Sequence, residues 1–287
     1  MNQTTNSEPP NVEPTRYATM AYGEGAAVYR QAVMLLVSLL AHAPASREIV
    51  VATDRPERFV WFGTRIEIEY LPADLLARWR GTPAVSMREK LEVARKLMPE
   101  RGALVLLDAD TLATSDLRPF VERLGRGAVF MHACEYELRR RRRPGDQPFL
   151  RALRGATFAG WQMRGDERMW NSGVIAVGER DRALVDEALR LYDAMVDAGV
   201  RHFALEQFAA GTIFGRTGRL EAAQPWFVHY WGNKAGYDAE LARRLADAFL
   251  RGDSVKEAIA EYRAHPIALP AEMRATRWQK LRGWLHR

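Results

Sequence analysis

The sequence predicts an α/β protein with a mostly parallel central sheet that helices cover on both faces. Apolar runs of strand length alternate with segments of helical length through the first part of the chain, a pattern typical of repeated strand–helix–strand units. Several of these apolar runs end in a polar or acidic residue. Because ligands bind beyond the carboxyl ends of the strands in such sheets, these ends are where a site is expected.

In the first half, strands and helices follow one another in turn. We expect strands over 16–23, 47–54, 64–71 and 103–110, and helices over 25–43 and 86–99. The segment 64–71 alternates isoleucine with glutamate, so one of its faces should be exposed. Pro99 should end the second helix, because proline lacks an N–H and disfavours helical geometry in the residue before it. Asp54, Asp108 and the loop after Met20 then lie at strand ends and are expected to share a site.

The second half is less regular. We expect a strand over 127–137, a long and partly helical excursion over 138–170, a strand over 170–178, helices over 181–199 and 204–215, and a strand followed by a glycine-containing loop over 225–237. Of these, 181–199 shows the clearest amphipathic helical periodicity. No internal repeat is visible, and no linker separates two domains.

Composition is that of an ordinary globular protein, with 47% hydrophobic and 27% charged residues in 287. We expect a disordered lead over 1–15, one α/β catalytic domain over 16–245 and a basic, aromatic helical extension over 246–287. The lead has no basic segment followed by an apolar core, and the apolar run 32–43 is too short to span a bilayer. These features predict a cytoplasmic protein. With one cysteine, Cys134, an intramolecular disulfide is excluded and any metal must be held by oxygen and nitrogen.

The net charge of +6 is unevenly distributed. Arg139–Arg143 form a run of five arginines, and 274–287 mixes basic residues with Trp278 and Trp284. Nucleic acid, an anionic membrane or a phosphorylated substrate could each be attracted by this charge. The arginine run could equally be a solvated segment, and 274–287 a terminal helix that docks its tryptophans on the domain.

The segment "LVLLDADT" at 104–111 carries two carboxylates, Asp108 and Asp110, directly after four apolar residues. Whether both carboxylates reach one cation depends on how the chain turns at the end of the strand. The spacing alone leaves a metal site and an acidic turn as equal alternatives. Oxygen ligands of this kind suit Mg²⁺ or Mn²⁺.

His229 is a candidate for a third ligand. It ends the apolar run "WFVH", and Gly232 and Lys234 follow within five residues. A lone histidine is more often structural, but glycine permits close approach of the backbone to a ligand, and lysine can neutralise phosphate.

These blocks, taken in order, resemble the family 8 glycosyltransferases, which include glycogenin-like enzymes and bacterial lipopolysaccharide galactosyltransferases. The resemblance covers most of 16–237. It rests on "TMAYGEGAAVYRQAVMLLVSLLAH", "REKLEVARKL", "LVLLDADTLATSDL", "WNSGVIAV", "LEQFAAGTIF" and "VHYWGNK". Each block is moderately specific, and the ordered set is strongly so. The resemblance implies a GT-A fold and a retaining, metal-dependent transferase.

The resemblance also implies residue roles. Asp108, Asp110 and His229 would hold Mn²⁺, or Mg²⁺, on the diphosphate of a nucleotide-sugar, with UDP the expected nucleotide. The donor would further contact Thr19, Met20, Ala21, Tyr29 (near the base), Lys90, Ala109, Asn171, Ser172, Gly173, Gly232 and Lys234. Glu206 and Gln207 would be the catalytic residues beside the transferred sugar.

Two positions depart from the family pattern. Glu206 stands where aspartate is usual, and the loop "HYWGNK" has one residue fewer between glycine and lysine, which puts the phosphate role of Lys234 in question.

The expected activity is transfer of a sugar from a UDP-sugar to a glycan or lipid-linked saccharide. Peripheral contact with the anionic inner face of a membrane is a further expectation, and no nucleic-acid partner is expected. A nucleotidyltransferase or a nucleotide-sugar hydrolase remains an alternative, although "AYGEGAAVYR" contains Arg30 without the glycine-rich signature of such enzymes. A non-catalytic nucleotide-sugar binding module is the third alternative. It predicts loss of the metal or sugar-side residues, and none of the three proposed ligands is missing.

Overall fold

The computed structural model describes residues 14–81 and 87–267. The expectations for the lead up to residue 13 and for the basic, aromatic segment 274–287 therefore fall outside the described residues. The strands are β1 Thr15–Ala21, β2 Arg47–Thr53, β3 Glu67–Tyr70, β4 Ala103–Leu107, β5 Thr111–Ala113, β6 Val129–Glu137, β7 Thr157–Phe158, β8 Trp161–Gln162, β9 Arg168–Gly178, β10 Leu220–Ala222 and β11 Phe227–His229.

The helices lie between these strands and after the last of them. They are α1 Ala26–His42, α2 Ala73–Arg80, α3 Arg88–Leu97, α4 Arg118–Gly125, α5 Gln147–Leu153, α6 Ala183–Asp197, α7 Leu205–Gly215, α8 Lys234–Arg251 and α9 Val255–Ala264. None of the helices in the described ranges combines the length and the apolar character that crossing a bilayer requires.

The central sheet has the strand order β10-β6-β9-β4-β1-β2-β3. Strand β9 runs antiparallel to both β4 and β6, whereas the other neighbouring pairs are parallel. The predicted fold class, α/β with a mostly parallel central sheet flanked by helices, is confirmed.

Apolar side chains cover both faces of the sheet. One cluster packs α3, α6 and α7 against it, and the other packs α1, α4, α8 and α9 against the opposite face. Strand β4 contributes Leu104 and Leu106 to the first cluster and Val105 and Leu107 to the second. This two-sided burial explains why its sequence is a continuous apolar run rather than an alternating one.

Several boundaries differ from the sequence-based expectation. Strand β3 starts only at Glu67, because 56–65 forms short helical turns with a break at Gly63, whose φ is 56°. Strand β1 begins at Thr15, the last residue of the expected lead. Helix α8 begins at Lys234, where a loop was expected, and it runs through the expected boundary between residues 245 and 246.

The short strands β5 and β11 form a small antiparallel ribbon that was not predicted as such. The ribbon pairs His229 with Thr111 and Phe227 with Ala113. Two long-range hydrogen bonds hold it to the helical layer: the buried Ser38 hydroxyl of α1 accepts from the Ala113 N–H at 3.0 Å, and the Tyr262 hydroxyl of α9 donates to the Ala113 carbonyl at 2.9 Å. The position of His229 therefore depends on helices α1 and α9.

We expect the substitution Ser38→Ala to lower the free energy of unfolding by about 1–3 kcal/mol, because it leaves the buried N–H of Ala113 without this acceptor. Urea denaturation at equilibrium measures the change. Ser46→Ala is the matched control, since Ser46 is exposed in a turn and should alter stability by less than about 0.5 kcal/mol. Equal stability of the two variants would contradict the assigned role of Ser38.

Candidate metal centre and adjoining cavity

The two aspartates of the D-x-D segment occupy a turn. Strand β4 ends at Leu107, and β5 starts at Thr111, so Asp108 and Asp110 lie in the connection between them. The Asp108 N–H donates to the Gly173 carbonyl at 3.0 Å, and the Asp110 carbonyl accepts from the Tyr230 N–H at 3.1 Å. The two carboxylates therefore lie in a turn that is fixed by backbone hydrogen bonds at both ends.

His229 reaches both carboxylates from the end of β11. Its Nε2 lies 3.2 Å from Asp110 Oδ1 and 3.7 Å from Asp108 Oδ2. One ligand atom from each of the three residues lies within 4.8 Å of the others. These residues thus form a group that can hold a divalent cation.

Asn171 sets which ring nitrogen of His229 carries hydrogen. The backbone N–H of Gly173 donates to Asn171 Oδ1 at 2.9 Å, which identifies this atom as the amide oxygen. His229 Nδ1 lies 2.7 Å from the same oxygen and must therefore donate to it. Nε2 is thereby the ring nitrogen that faces the aspartates and would bind a cation, which is how protein partners orient metal-binding histidines.

The donor set fits Mn²⁺ or Mg²⁺. Two carboxylates and an imidazole are hard or borderline ligands, and carboxylates together with substrate phosphates are how these ions are commonly bound. Burial opposes ionisation of Asp110, but its hydrogen bond and charge interaction with His229, together with Lys234, hold the pKa of its carboxyl well below the usual range. Asp110 is therefore an anionic ligand at neutral pH.

Two lysines flank the carboxylates. Lys90 of α3 is buried and places its Nζ 2.6 Å from Asp108 Oδ1 and 2.9 Å from the Ser172 hydroxyl. Lys234, the first residue of α8, places its Nζ 2.8 Å from Asp110 Oδ2 with its side chain half exposed. A buried ammonium is tolerated beside Asp108 because the pair neutralises both charges.

The group opens into a cavity of about 440 Å³. The strand ends and the start of α7 line it, and two exposed aromatic side chains, Phe203 and Trp231, contribute to its wall. Of the sequence-predicted site residues, the cavity is lined by Met20, Asp108, Ala109, Asp110, Asn171, Ser172, Glu206, Gln207, His229 and Lys234. The structure thus brings together residues from distant parts of the chain.

Six predicted residues, among them Lys90, lie nearby without lining this cavity. Thr19 and Ala21 point to the opposite face of β1 from Met20, where Thr19 donates to the Leu107 carbonyl at 2.9 Å. The Tyr29 hydroxyl donates at 2.7 Å to Asp54, and Arg58 covers its ring at 4.0 Å. The backbone of Gly173 lies against the ring of His229, and Gly232 lies in the short turn before α8.

Asp54 is therefore not part of the cavity that holds Asp108. Its carboxylate is occupied by the Tyr29 hydroxyl and by the Gly23 N–H at 3.1 Å. Asp54 and Tyr29 together secure the loop that follows β1.

Glu206 is buried within the protein. One carboxyl oxygen accepts from the Ser172 hydroxyl at 2.8 Å, and the other has no hydrogen-bond partner among the described residues. Burial raises the pKa of Glu206 above its usual value, and the charge of Lys90 opposes that rise. With Asp108, Lys90 and Ser172 it forms a continuous polar chain that runs from the metal group to the start of α7.

Glu135 is a site residue that the sequence interpretation missed. Its carboxylate in β6 accepts from Asn171 Nδ2 at 2.9 Å and from Gln207 Nε2 at 3.3 Å, and it lines the cavity. The available signal was its place near the end of the strand predicted over 127–137. Through these bonds Glu135 directs the amide oxygen of Gln207 away from itself.

His132 was likewise not predicted. Its ring packs edge-on against His229 with centroids 5.4 Å apart. Burial, and then the charge of His229, lower the pKa of His132 to about 4. At neutral pH His132 is therefore an uncharged neighbour of the candidate metal ligand His229.

No protein-family model matches the chain, and no curated protein matches it. Among solved structures, the crystal structure of mouse xyloside xylosyltransferase 1, in its apo form, resembles it with a TM-score of 0.48 at 12% sequence identity. The likeness covers 73% of this chain and 84% of that one. A likeness this remote carries no conclusion about substrate or activity.

We expect Gly173→Ala to weaken Mn²⁺ binding at least about tenfold, since positioning partners of metal ligands typically affect affinity by this much. A Cβ at Gly173 would overlap the ring of His229 and displace it. Titration of Mn²⁺, followed by the electron paramagnetic resonance of the free ion, measures the affinity.

Gly178→Ala on the same strand is the control, because the nearest atom to a Cβ there is 3.7 Å away. Unchanged Mn²⁺ affinity in a folded Gly173→Ala protein would show that His229 does not bind the ion.

Proposed function

We propose that this protein is a metal-dependent retaining glycosyltransferase of the GT-A fold, which moves a sugar from a UDP-sugar to a glycan or lipid-linked saccharide. One observation carries the proposal: Asp108, Asp110 and His229 converge at the edge of a sheet, beside a cavity that also contains Asn171 and Gln207. The ordered family 8-like sequence blocks support the same assignment.

In this proposal, residues of the chain bind both the diphosphate and the sugar of the donor. Lys234 lines the cavity and is half exposed, so its ammonium can turn from Asp110 to a donor phosphate despite the shortened loop. Lys90 stays buried and holds Asp108 in place. The bound divalent cation would supply electrostatic stabilisation of the leaving diphosphate.

Around the sugar the proposed roles are orientation and charge stabilisation. Asn171 and Ser172 line the sugar side of the cavity. The amide oxygen of Gln207, which Glu135 turns outward, would face positive charge that develops at the anomeric carbon. Glu206 also lines the cavity but is less suited to that role, because it is buried and accepts from the Ser172 hydroxyl.

The transfer we propose takes place on one face of the sugar. The bond between the anomeric carbon and the phosphate oxygen breaks, and its electron pair remains on the phosphate. The acceptor hydroxyl oxygen bonds to the same face, and its proton passes to the leaving phosphate. This step requires no protein base.

The first test is thermal stabilisation by a panel of nucleotide-sugars with and without Mn²⁺. A ligand that binds the folded state at 100 times its Kd stabilises it by about 2.7 kcal/mol. We expect a metal-dependent rise of the melting temperature with a UDP-sugar, and its loss in Asp110→Asn. Asp116→Asn, an exposed carboxylate in the same sequence block, is the control.

If no nucleotide-sugar stabilises the protein in a metal-dependent manner, the transferase proposal fails. Rapid release of free sugar with no transfer to any acceptor would favour the hydrolase alternative. A product with inverted anomeric configuration would contradict retention and leave the metal site intact.

Glu135→Gln should separate binding from turnover. Glutamine offers one acceptor oxygen where the carboxylate offers two, and Asn171 is held by further bonds, so the amide of Gln207 should rotate. We expect kcat to fall about 10-fold to 100-fold, with the donor KM and the Mn²⁺ affinity little changed. Steady-state kinetics measure the effect, with Glu67→Gln on the exposed face of β3 as control. A fall in Mn²⁺ affinity equal to the fall in kcat would refute this role.

A further inference from the structure

A second cavity, of about 520 Å³, lies beside the candidate active site. The two cavities share strands β6 and β9 and helix α7. Strand β6 contributes Glu135 to the first and Glu137 to the second, and helix α7 contributes Gln207 to the first and Gly211 to the second. Four residues along a helix correspond to about one turn, or roughly 5–6 Å. The linings of the two cavities are therefore about one helical turn apart along α7.

The second cavity is rich in guanidinium groups. Arg139, Arg164, Arg168 and Arg216 all line it. The carboxylate of Glu137 is contacted by Arg139 at 3.0 Å, Arg168 at 3.5 Å and, from outside the lining, Arg140 at 2.9 Å. One carboxylate cannot neutralise three guanidinium groups, so positive charge remains in excess around it.

Two further carboxylates, Asp166 and Glu167, line the cavity and reduce this excess, but four arginines still face three carboxylates. Glu167 is buried, accepts from the backbone N–H groups of Arg164, at 2.5 Å, and Gly165, at 2.8 Å, and lies 3.8 Å from the guanidinium of Arg216. The side chain of Arg164 makes no hydrogen bond or ion pair with the residues that the structure describes. Each guanidinium has five N–H donors, so many donors here are free to bind an anion.

Arg216 is held in a defined position. Its guanidinium donates to the Gln162 carbonyl at 2.5 Å and lies 4.7 Å from the centre of the Trp161 ring. Burial, and then the charge of Arg164, lower the pKa of Arg216. The charges of Glu167, 3.8 Å away, and Asp166 offset part of this effect, and a bound anion would offset more of it.

The wall of this cavity offers a further unused donor. The hydroxyl of Thr212 is buried and has no hydrogen-bond partner among the described residues. Gly211 lies next to it, where a Cβ would approach Trp170 to 3.1 Å. Small residues therefore keep this part of the wall open.

We propose that the second cavity binds an anionic group, a phosphate or a carboxylate, carried by the acceptor saccharide, and that the acceptor is an acidic glycan. Only the identification of the bound molecule as an acceptor rests on the proposed transferase function. The anion site itself depends only on the residues of the second cavity. It also gives the start of the arginine run a role, since Arg139 lines the cavity.

Isothermal titration at constant ionic strength tests the site with inorganic phosphate, glucose 6-phosphate, glucuronate and glucose as probes. We expect saturable binding either of phosphate and glucose 6-phosphate or of glucuronate. We expect no binding of glucose. The two anionic arms distinguish a phosphate site from a carboxylate site. Absence of saturable binding of every anionic probe overturns the proposal.

Arg139→Gln/Arg168→Gln should weaken binding of the anionic probe at least tenfold. Both side chains are more than half exposed, at 60% and 54%, so the fold should tolerate their loss. Arg164→Gln is a second, independent variant with the same expected direction. Arg243→Gln on α8 is the control for general charge, and an equal loss in that variant overturns the proposal.

A parallel titration with UDP and Mn²⁺ separates the two proposals. If UDP binds in a metal-dependent manner and no anionic probe does, the second cavity is not an anion site and the transferase proposal stands. If an anionic probe binds and UDP does not, the anion site stands and the transferase proposal fails. Should both bind, acidic acceptors ought to be used at lower KM than their neutral counterparts, with the difference lost in Arg139→Gln/Arg168→Gln.

Discussion

The hydrogen bond from His229 Nδ1 to the Asn171 oxygen is the contact on which the candidate metal centre depends. It joins the short strand β11 to the central strand β9, and the Gly173 N–H bound to the same oxygen leaves the amide only one orientation. With Nδ1 committed as a donor, Nε2 must face Asp108 and Asp110. The absence of a side chain at Gly173 allows the ring to lie there. Moving β9 or β11 would therefore separate the third ligand from the other two.

Charge balance explains how so many ionisable groups can share one edge of the sheet. Asp108 is paired with the buried Lys90, and Asp110 with Lys234 and His229. Glu206 lies further inside, where burial favours its neutral form. Lys234 is half exposed at the cavity and can exchange partners, whereas Lys90 is enclosed and stays with Asp108. Under the proposed function, Lys234 would meet a donor phosphate and Lys90 would hold the architecture.

The same three elements, β6, β9 and α7, connect the metal centre to the arginine-lined cavity. Each of these elements contributes residues to the lining of both cavities. Glu135 stands between the two cavities and accepts from both Asn171 and Gln207. If both proposals hold, this arrangement would align a nucleotide-sugar with an acidic acceptor.

The sequence by itself determined the alternation of strands and helices, the buried character of β4 and the residue types able to hold a cation, because hydrophobic periodicity and ligand chemistry are local properties. It left open whether Asp108 and Asp110 formed a metal site or an acidic turn, since two carboxylates on one strand say nothing about a third ligand more than a hundred residues away. Only the tertiary structure decided that His229 lies between them, that Glu135 joins the site and that Tyr29 and Asp54 bind each other instead. Those relationships come from strand order, from the β5–β11 pairing and from hydrogen bonds between distant segments, none of which leaves a periodic signal in the chain.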